Sequence, residues 1–326
     1  MQARPDGTGG PGEAGGAPRS GAVCHRRGAT LENASLAAGC IGVSILGQGC
    51  IDAALLDAYH ALGIRYLSTR TIGYDHIDLD HARSIGLRVC SASYAPNGVA
   101  DFTVMMILMC LRHYKQALWR GQVNDFSLTG LQGREMKDLT IGIIGTGRIG
   151  AQVARNLSGF GCRILAYDLR RNPAVEPQVT YVDFDTLLAQ SDVITLHMPL
   201  LDSNRHIINR ESVAKMRDGV VIVNCSRGEL ADIEALIEGI ETGKIGALGM
   251  DTVEGDEGII HADHRVDILP NRNWFYLHQF RNVIMTQHMA FYTDAAVSSM
   301  VDCGIGGICQ MAAGESCPTE LTGPVQ

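Results

Sequence analysis

Short apolar runs rich in valine and isoleucine recur along the chain, at Cys40–Leu46, Arg65–Ser68, Leu87–Cys90, Thr140–Ile144, Arg163–Tyr167, Val193–Leu196, Val220–Asn224 and Val283–Thr286. Between them lie stretches whose apolar residues repeat at helical spacing, clearest at Ile51–Leu62, Ile149–Phe160 and Ile233–Thr242. Each of these three is followed by a glycine, which suits a helix C-terminus that must turn into the left-handed region. Strands that are apolar throughout are buried on both faces, and strands alternating with helices pair in parallel through crossovers. The pattern therefore predicts an α/β fold with a doubly wound parallel sheet.

At 326 residues the chain is too long for a single ordinary core, so two domains with a cleft between them are expected. A formal charge of -8 argues against a nucleic-acid partner, because phosphate backbones call for a basic surface. The ten cysteines form no CxxC pair and are scattered through apolar stretches, which fits reduced thiols, a cytoplasmic location and no metal site. The longest apolar stretch, Val104–Leu111, reads as a turn or two of buried helix, so no membrane span is expected. The segment Met1–Gly28 is rich in glycine and proline and reads as disordered, without the apolar core of a signal peptide.

Chemistry enters where strands end. The run Thr140–Ile144 leads directly into Gly145-Thr-Gly147-Arg-Ile-Gly150 and then a helix, and a second strand ends at Asp168, 23 residues past the first glycine. Strand before, helix after and an acid at that distance make this a dinucleotide-binding turn. Gly145 permits the tight turn, Gly147 lets a pyrophosphate approach the helix N-terminus, and Gly150 lets helix and strand pack closely. Asp168 would accept hydrogen bonds from ribose hydroxyls and repel a 2′-phosphate, which favours NAD over NADP.

Two further strand ends carry candidate catalytic groups. Arg227 follows the strand Val220–Asn224, where open α/β sheets place their ligands, and a guanidinium matches a planar carboxylate with two parallel N–H donors. His288 ends the strand that begins at Val283 and can give and take a proton near neutrality.

The order and spacing of these segments, with Tyr66–Asp78, Tyr94–Asp101, Thr195–Pro199, Asn224–Gly228, Met250-Asp251 and Thr286–Thr293, resembles the D-isomer-specific 2-hydroxy acid dehydrogenases, in particular their D-lactate dehydrogenase branch. That resemblance spans about Ala29 to Met300. It implies two Rossmann-like domains, with residues 99–293 binding NAD and residues 29–98 plus 294–326 forming the substrate domain. The resemblance implies a first strand and helix of the substrate domain before Ala29, where the stretch 1–28 stands instead, so that either the start of the chain is misassigned or the domain lacks that strand.

The resemblance also implies roles. Arg227 binds the carboxylate of a 2-oxo acid, hydride passes from the nicotinamide to the 2-carbon, and His288 protonates the developing alkoxide. An acid that pairs with this histidine falls on Asp256, where the family usually has glutamate. Cofactor contacts fall on Gly145, Gly147, Arg148, Ile149, Gly150, Asp168, Met198, Pro199, Asn204, Cys225, Ser226 and Asp251. Substrate contacts fall on Ile72, Gly73, Tyr94, Arg227 and Tyr292, with Phe291 as a further pocket wall, and His197 is a structural or cofactor-loop residue. Pyruvate and larger 2-oxo acids stay open as substrates, and a homodimer is expected. An NAD-sensing corepressor and an inactive relative are the alternatives.

Overall fold

The computed structural model describes residues 28–46 and 49–323. Apart from Gly28, the stretch expected to be disordered lies outside them. Two parallel sheets organise the chain. The smaller is built from β1 (Gly42–Ile45), β2 (Tyr66–Thr69) and β3 (Arg88–Cys90), paired in that order, with β1 at an edge among the described residues. Its crossovers are α1 (Ala53–Ala61) and α2 (Leu79–Ser84). The Asp52 and Asp78 carboxylates cap them by accepting from the N–H groups of Leu55 and His81. Leu55, Leu56 and Tyr59 of α1 bury against Leu67 and Val89 of the sheet.

The larger sheet contains β4 (Thr140–Ile144), β5 (Arg163–Tyr167), β6 (Thr180–Tyr181), β7 (Val193–Leu196), β8 (Val220–Asn224), β9 (Ile245–Met250) and β10 (Val283–Met285). Its order is β10-β9-β8-β7-β4-β5-β6, so the chain winds one way from β4 and the other way from β7. The crevice above the carboxyl ends of β4 and β7 is thus a topological switch point, where such sheets bind ligands. One face is covered by α3 (Asn97–Leu111) and α5 (Arg148–Ser158), which bury Ile107 and Val153 against Ile141 and Val223. The helix α4 (Tyr114–Gln122) runs on from α3 and buries none of its residues. The other face is covered by α6 (Phe184–Gln190), α7 (Arg210–Lys215), α8 (Ile233–Glu241) and α9 (Arg272–His278), around Ile194, Ile222 and Leu248. From the start of α4, the Lys115 ammonium donates to the carbonyl oxygens of His278, Phe280 and Val283 and so ties that helix to the start of β10.

The last helix, α10 (Asp294–Ala312), returns to the small sheet and buries Gly307 and Met311 beside Cys90 of β3. It is long and apolar enough by length and composition to cross a membrane, which corrects the expectation that no such stretch exists. α3 corrects the reading of Val104–Leu111 as an isolated turn or two, since the helix begins at Asn97.

Candidate active site

The glycine turn forms a cradle shaped for a pyrophosphate. Gly145 has φ 93°, and a side-chain carbon there would lie 2.5 Å from the His197 carbonyl oxygen. A side-chain carbon on Gly150 would lie 1.9 Å from the Gly145 carbonyl oxygen, so the helix can start this close to the strand only through a glycine. At Gly147, by contrast, nothing lies within 4 Å, leaving open space over the N-terminus of α5. At the end of β5 the Asp168 carboxylate accepts from the Thr146 N–H at 2.6 Å and from the Arg170 N–H at 2.9 Å, which holds it beside the glycine turn. The strand-end, cradle and acid fit a dinucleotide. Arg148 joins the turn to the other part of the molecule, donating to the Tyr94 carbonyl oxygen and the Ser93 hydroxyl.

His197 is buried directly behind the turn. Its Nε2 lies 2.9 Å from the Thr195 hydroxyl, its Nδ1 has no hydrogen-bond partner, and burial pushes its pKa down to about 3. A ring held neutral there is a wall of the cradle and no proton donor at working pH.

Arg227 leaves β8 at the same end of the sheet, and the Asn224 amide fixes its backbone by donating to the Arg227 carbonyl oxygen. Its guanidinium donates to Asp75 Oδ1 from Nε at 3.2 Å and from Nη2 at 3.1 Å, and to the Ser226 carbonyl oxygen from Nη1 at 2.9 Å. It passes so close to Gly73 that a side-chain carbon there would lie 1.5 Å from Nη2. Half-burial of Tyr94 raises its pKa above the usual phenol value, against the opposing charges of Arg227 and Arg148.

His288 sits beyond β10 with φ 52°, a left-handed conformation that is uncommon outside glycine. The buried Asp251 at the end of β9 secures this loop. Its Oδ1 accepts from the Thr286 hydroxyl and the Met289 N–H, and its Oδ2 accepts from the Ala290 N–H. Burial lowers the His288 pKa below the usual imidazole value, the Asp251 carboxylate pulls it back up, and the Arg227 guanidinium lowers it again. Arg227 and His288 thus stand at the same end of the sheet, after β8 and β10 on either side of β9, and the charges of both Arg227 and Asp75 act on the imidazole.

A model of the NAD-binding domain of D-isomer specific 2-hydroxyacid dehydrogenases matches residues 104–290. The chain is 43% identical over 271 residues to the aromatic 2-oxoacid reductase of Clostridium sporogenes, covering 82% of each. It belongs to the D-isomer-specific 2-hydroxyacid dehydrogenases. The dehydrogenase also matches the structure of the pyruvate reductase of Chlamydomonas reinhardtii with a TM-score of 0.83 and 36% identity, over 89% of this chain and 88% of that one. It matches the D-lactate dehydrogenase of Aquifex aeolicus, complexed with NAD and lactic acid, with a TM-score of 0.81 and 31% identity over 87% of each chain. The cofactor of the dehydrogenase is NAD.

Several residues of the dehydrogenase stand differently from what its sequence suggests. Asp256 has a partner of its own: Oδ2 accepts from the Val253 N–H at 3.2 Å, and the carboxylates that act on His288 belong to Asp251 and Asp75. Burial pushes the Asp256 pKa up to about 6, and the carboxylates of Glu229, Glu257 and Asp251 add to the shift. Tyr292 is 67% exposed, and the ring facing His288 is that of Phe291, edge-on with centroids 6.3 Å apart. Asp251 has both carboxylate oxygens engaged by the His288 loop.

The side chains of Asn204 and Ser226 are also engaged, the first closing its own loop onto Leu201 and Pro199 and the second donating to the Leu196 carbonyl oxygen. Cys225 is buried, and Ile149 and Met198 pack against the two cores of the large sheet. Two residues of the site went unnoticed in the sequence, Asp75 and His261. His261 Nε2 lies 3.2 Å from the His288 carbonyl oxygen, and its ring lies 6.2 Å from the His288 ring.

Proposed function

We propose that the dehydrogenase reduces a 2-oxo acid carrying an aryl side chain to the D-2-hydroxy acid, and catalyses the reverse reaction, with Arg227 as carboxylate anchor and His288 as proton donor. The carrying observation is that Arg227 and His288 follow the carboxyl ends of β8 and β10, the two parallel strands that flank β9, and that the guanidinium charge acts on the imidazole. Arg227 binds the substrate carboxylate through its fork and orients the neighbouring carbonyl toward His288. Bound NADH supplies the hydride that the 2-carbon receives. As that carbon is reduced, the His288 imidazolium gives its proton to the carbonyl oxygen, and in the reverse direction the neutral ring takes it back. The nearby Arg227 disfavours the imidazolium, whereas the substrate carboxylate neutralises that guanidinium and favours it.

Aryl specificity is supported by the ring cluster of Phe291 and His261 around His288, and by the name of the Clostridium sporogenes relative. The test is a panel of 2-oxo acids from pyruvate to phenylpyruvate and indolepyruvate, with NADH and with NADPH, followed by absorbance. A higher kcat/KM for the aryl acids with NADH is expected. Equal or better turnover of pyruvate sinks the aryl assignment, and no turnover of any member sinks the reaction.

The same proposal has the dehydrogenase act as a cytoplasmic homodimer. The free cysteines of the described residues, with Cys50 and Cys309 exposed, fit a reducing compartment. Leu118 and Trp119 of α4, and Val123, Phe126 and Leu128 just beyond it, expose large apolar side chains of the kind that subunits bury.

A further inference from the structure

We propose that Asp75 is a positioning residue for Arg227, holding one edge of the guanidinium so that its tip is presented to the substrate carboxylate. The inference rests on the proposed role of Arg227 and adds to it a residue from the small-sheet unit, 152 positions away in the chain. Arginine offers five N–H donors in a rigid fork. In this structure Nε and one Nη2 hydrogen go to Asp75 Oδ1, and one Nη1 hydrogen goes to the Ser226 carbonyl oxygen. The two that remain, one on each terminal nitrogen, form the parallel pair that a carboxylate accepts side by side.

The loop bearing Asp75 is shaped for this task. The Thr71 hydroxyl donates to the Gly73 carbonyl oxygen at 2.7 Å, and the bare backbone of Gly73 lets the guanidinium lie against it. Arg227 in turn holds the Asp75 carboxyl below the usual carboxylate range, against the burial that works in the opposite direction, so the partner stays ionised wherever the enzyme works. A carboxylate that merely stood in for substrate would occupy the tip of the fork. Asp75 takes the edge, and can remain there while substrate binds. Because the two residues belong to units built on different sheets, the contact also ties the small-sheet unit to the large one at the carboxylate site.

The test is Asp75→Asn in the NADH-loaded enzyme, with the preferred 2-oxo acid. Loss of the charge is expected to raise KM about tenfold, the scale of one charge-assisted hydrogen bond, with a much smaller change in kcat. Asp75→Glu, which keeps the charge on a longer arm, is expected to recover part of that loss. A second readout needs no turnover. The Arg227 Nε–H signal in a nitrogen-15 spectrum, assigned by its disappearance in Arg227→Lys, is expected to be sharp and slow to exchange in the parent and broadened in Asp75→Asn. An unchanged or lower KM overturns the proposal, the latter by showing that Asp75 competes with substrate, and so does an unaltered Nε–H signal. A lower melting temperature with unchanged KM marks a purely structural contact and likewise overturns it. If the parent turns over no 2-oxo acid the proposed reaction fails, while the Nε–H comparison still decides the role of Asp75.

Discussion

His288 is the residue on which the pH behaviour turns. Burial and Arg227 keep its pKa below 6.5 in the free enzyme, and on the proposed mechanism reduction needs the protonated ring. The sign follows: kcat/KM for reduction is full below that pKa and falls as pH rises through it. Once a substrate carboxylate sits on Arg227, the imidazolium is favoured, so the limb in kcat should lie at higher pH than the limb in kcat/KM. Coincident limbs would rule this coupling out. Asp256 supplies a separate prediction. Its folded pKa of about 6 stands above the ordinary 3.8, so its stabilising share is intact below pH 3.8 and is lost as pH rises through 6. Asp256→Asn keeps an oxygen for the Val253 N–H and should gain roughly 1–2 kcal/mol in urea unfolding at pH 8, with no gain at pH 3.5. The position of Asp256 in the family pattern was legible from the sequence. Its turn onto Val253 was not, because which backbone N–H a short acid reaches depends on local turn geometry that no spacing encodes.

At the scale of elements, the sequence was most legible where strands are apolar throughout. Val193–Leu196 and Val220–Asn224 are buried from end to end and sit where their composition placed them. β9 went unseen because Ile245-Gly-Ala-Leu-Gly-Met250 breaks its apolar run with two glycines. Those glycines mark close packing: a side-chain carbon at Gly246 would lie 2.6 Å from the Gly219 carbonyl oxygen, and one at Gly249 would lie 3.2 Å from Cys110 Sγ. The start of α3 was hidden likewise, since Asn97, Gly98 and Asp101 are poor helix formers held by the fold around them. The join of β4 to α5 is the most exacting of these contacts. Gly150→Ala should cost about 1–3 kcal/mol of stability and weaken NADH binding several-fold, measured by unfolding and by cofactor fluorescence, because the atoms in its way are backbone and have nowhere to go. Unchanged cofactor affinity in a folded Gly150→Ala protein would show that the turn is not the pyrophosphate site.

For the molecule as a whole, the pattern of apolar runs predicted parallel sheets, and two were found. The contact between them was beyond it: Asp75 and Arg227 are far apart in the chain, and nothing in either neighbourhood announces the other. The apolar surface of α4 belongs to this scale too, with Trp119 64% exposed. Trp119→Glu should convert a dimer to a monomer in sedimentation velocity, and an unchanged sedimentation coefficient would place the contact elsewhere.

Lys115 extends the matter. One ammonium grips three carbonyl oxygens at the root of β10, and it is rooted in the very helix proposed to meet a second copy. With that helix in the contact, the footing of the proposed proton donor is shared between neighbours. Dilution then becomes a kinetic variable: a preparation thinned until its copies part should lose turnover per molecule, and crowding should restore it.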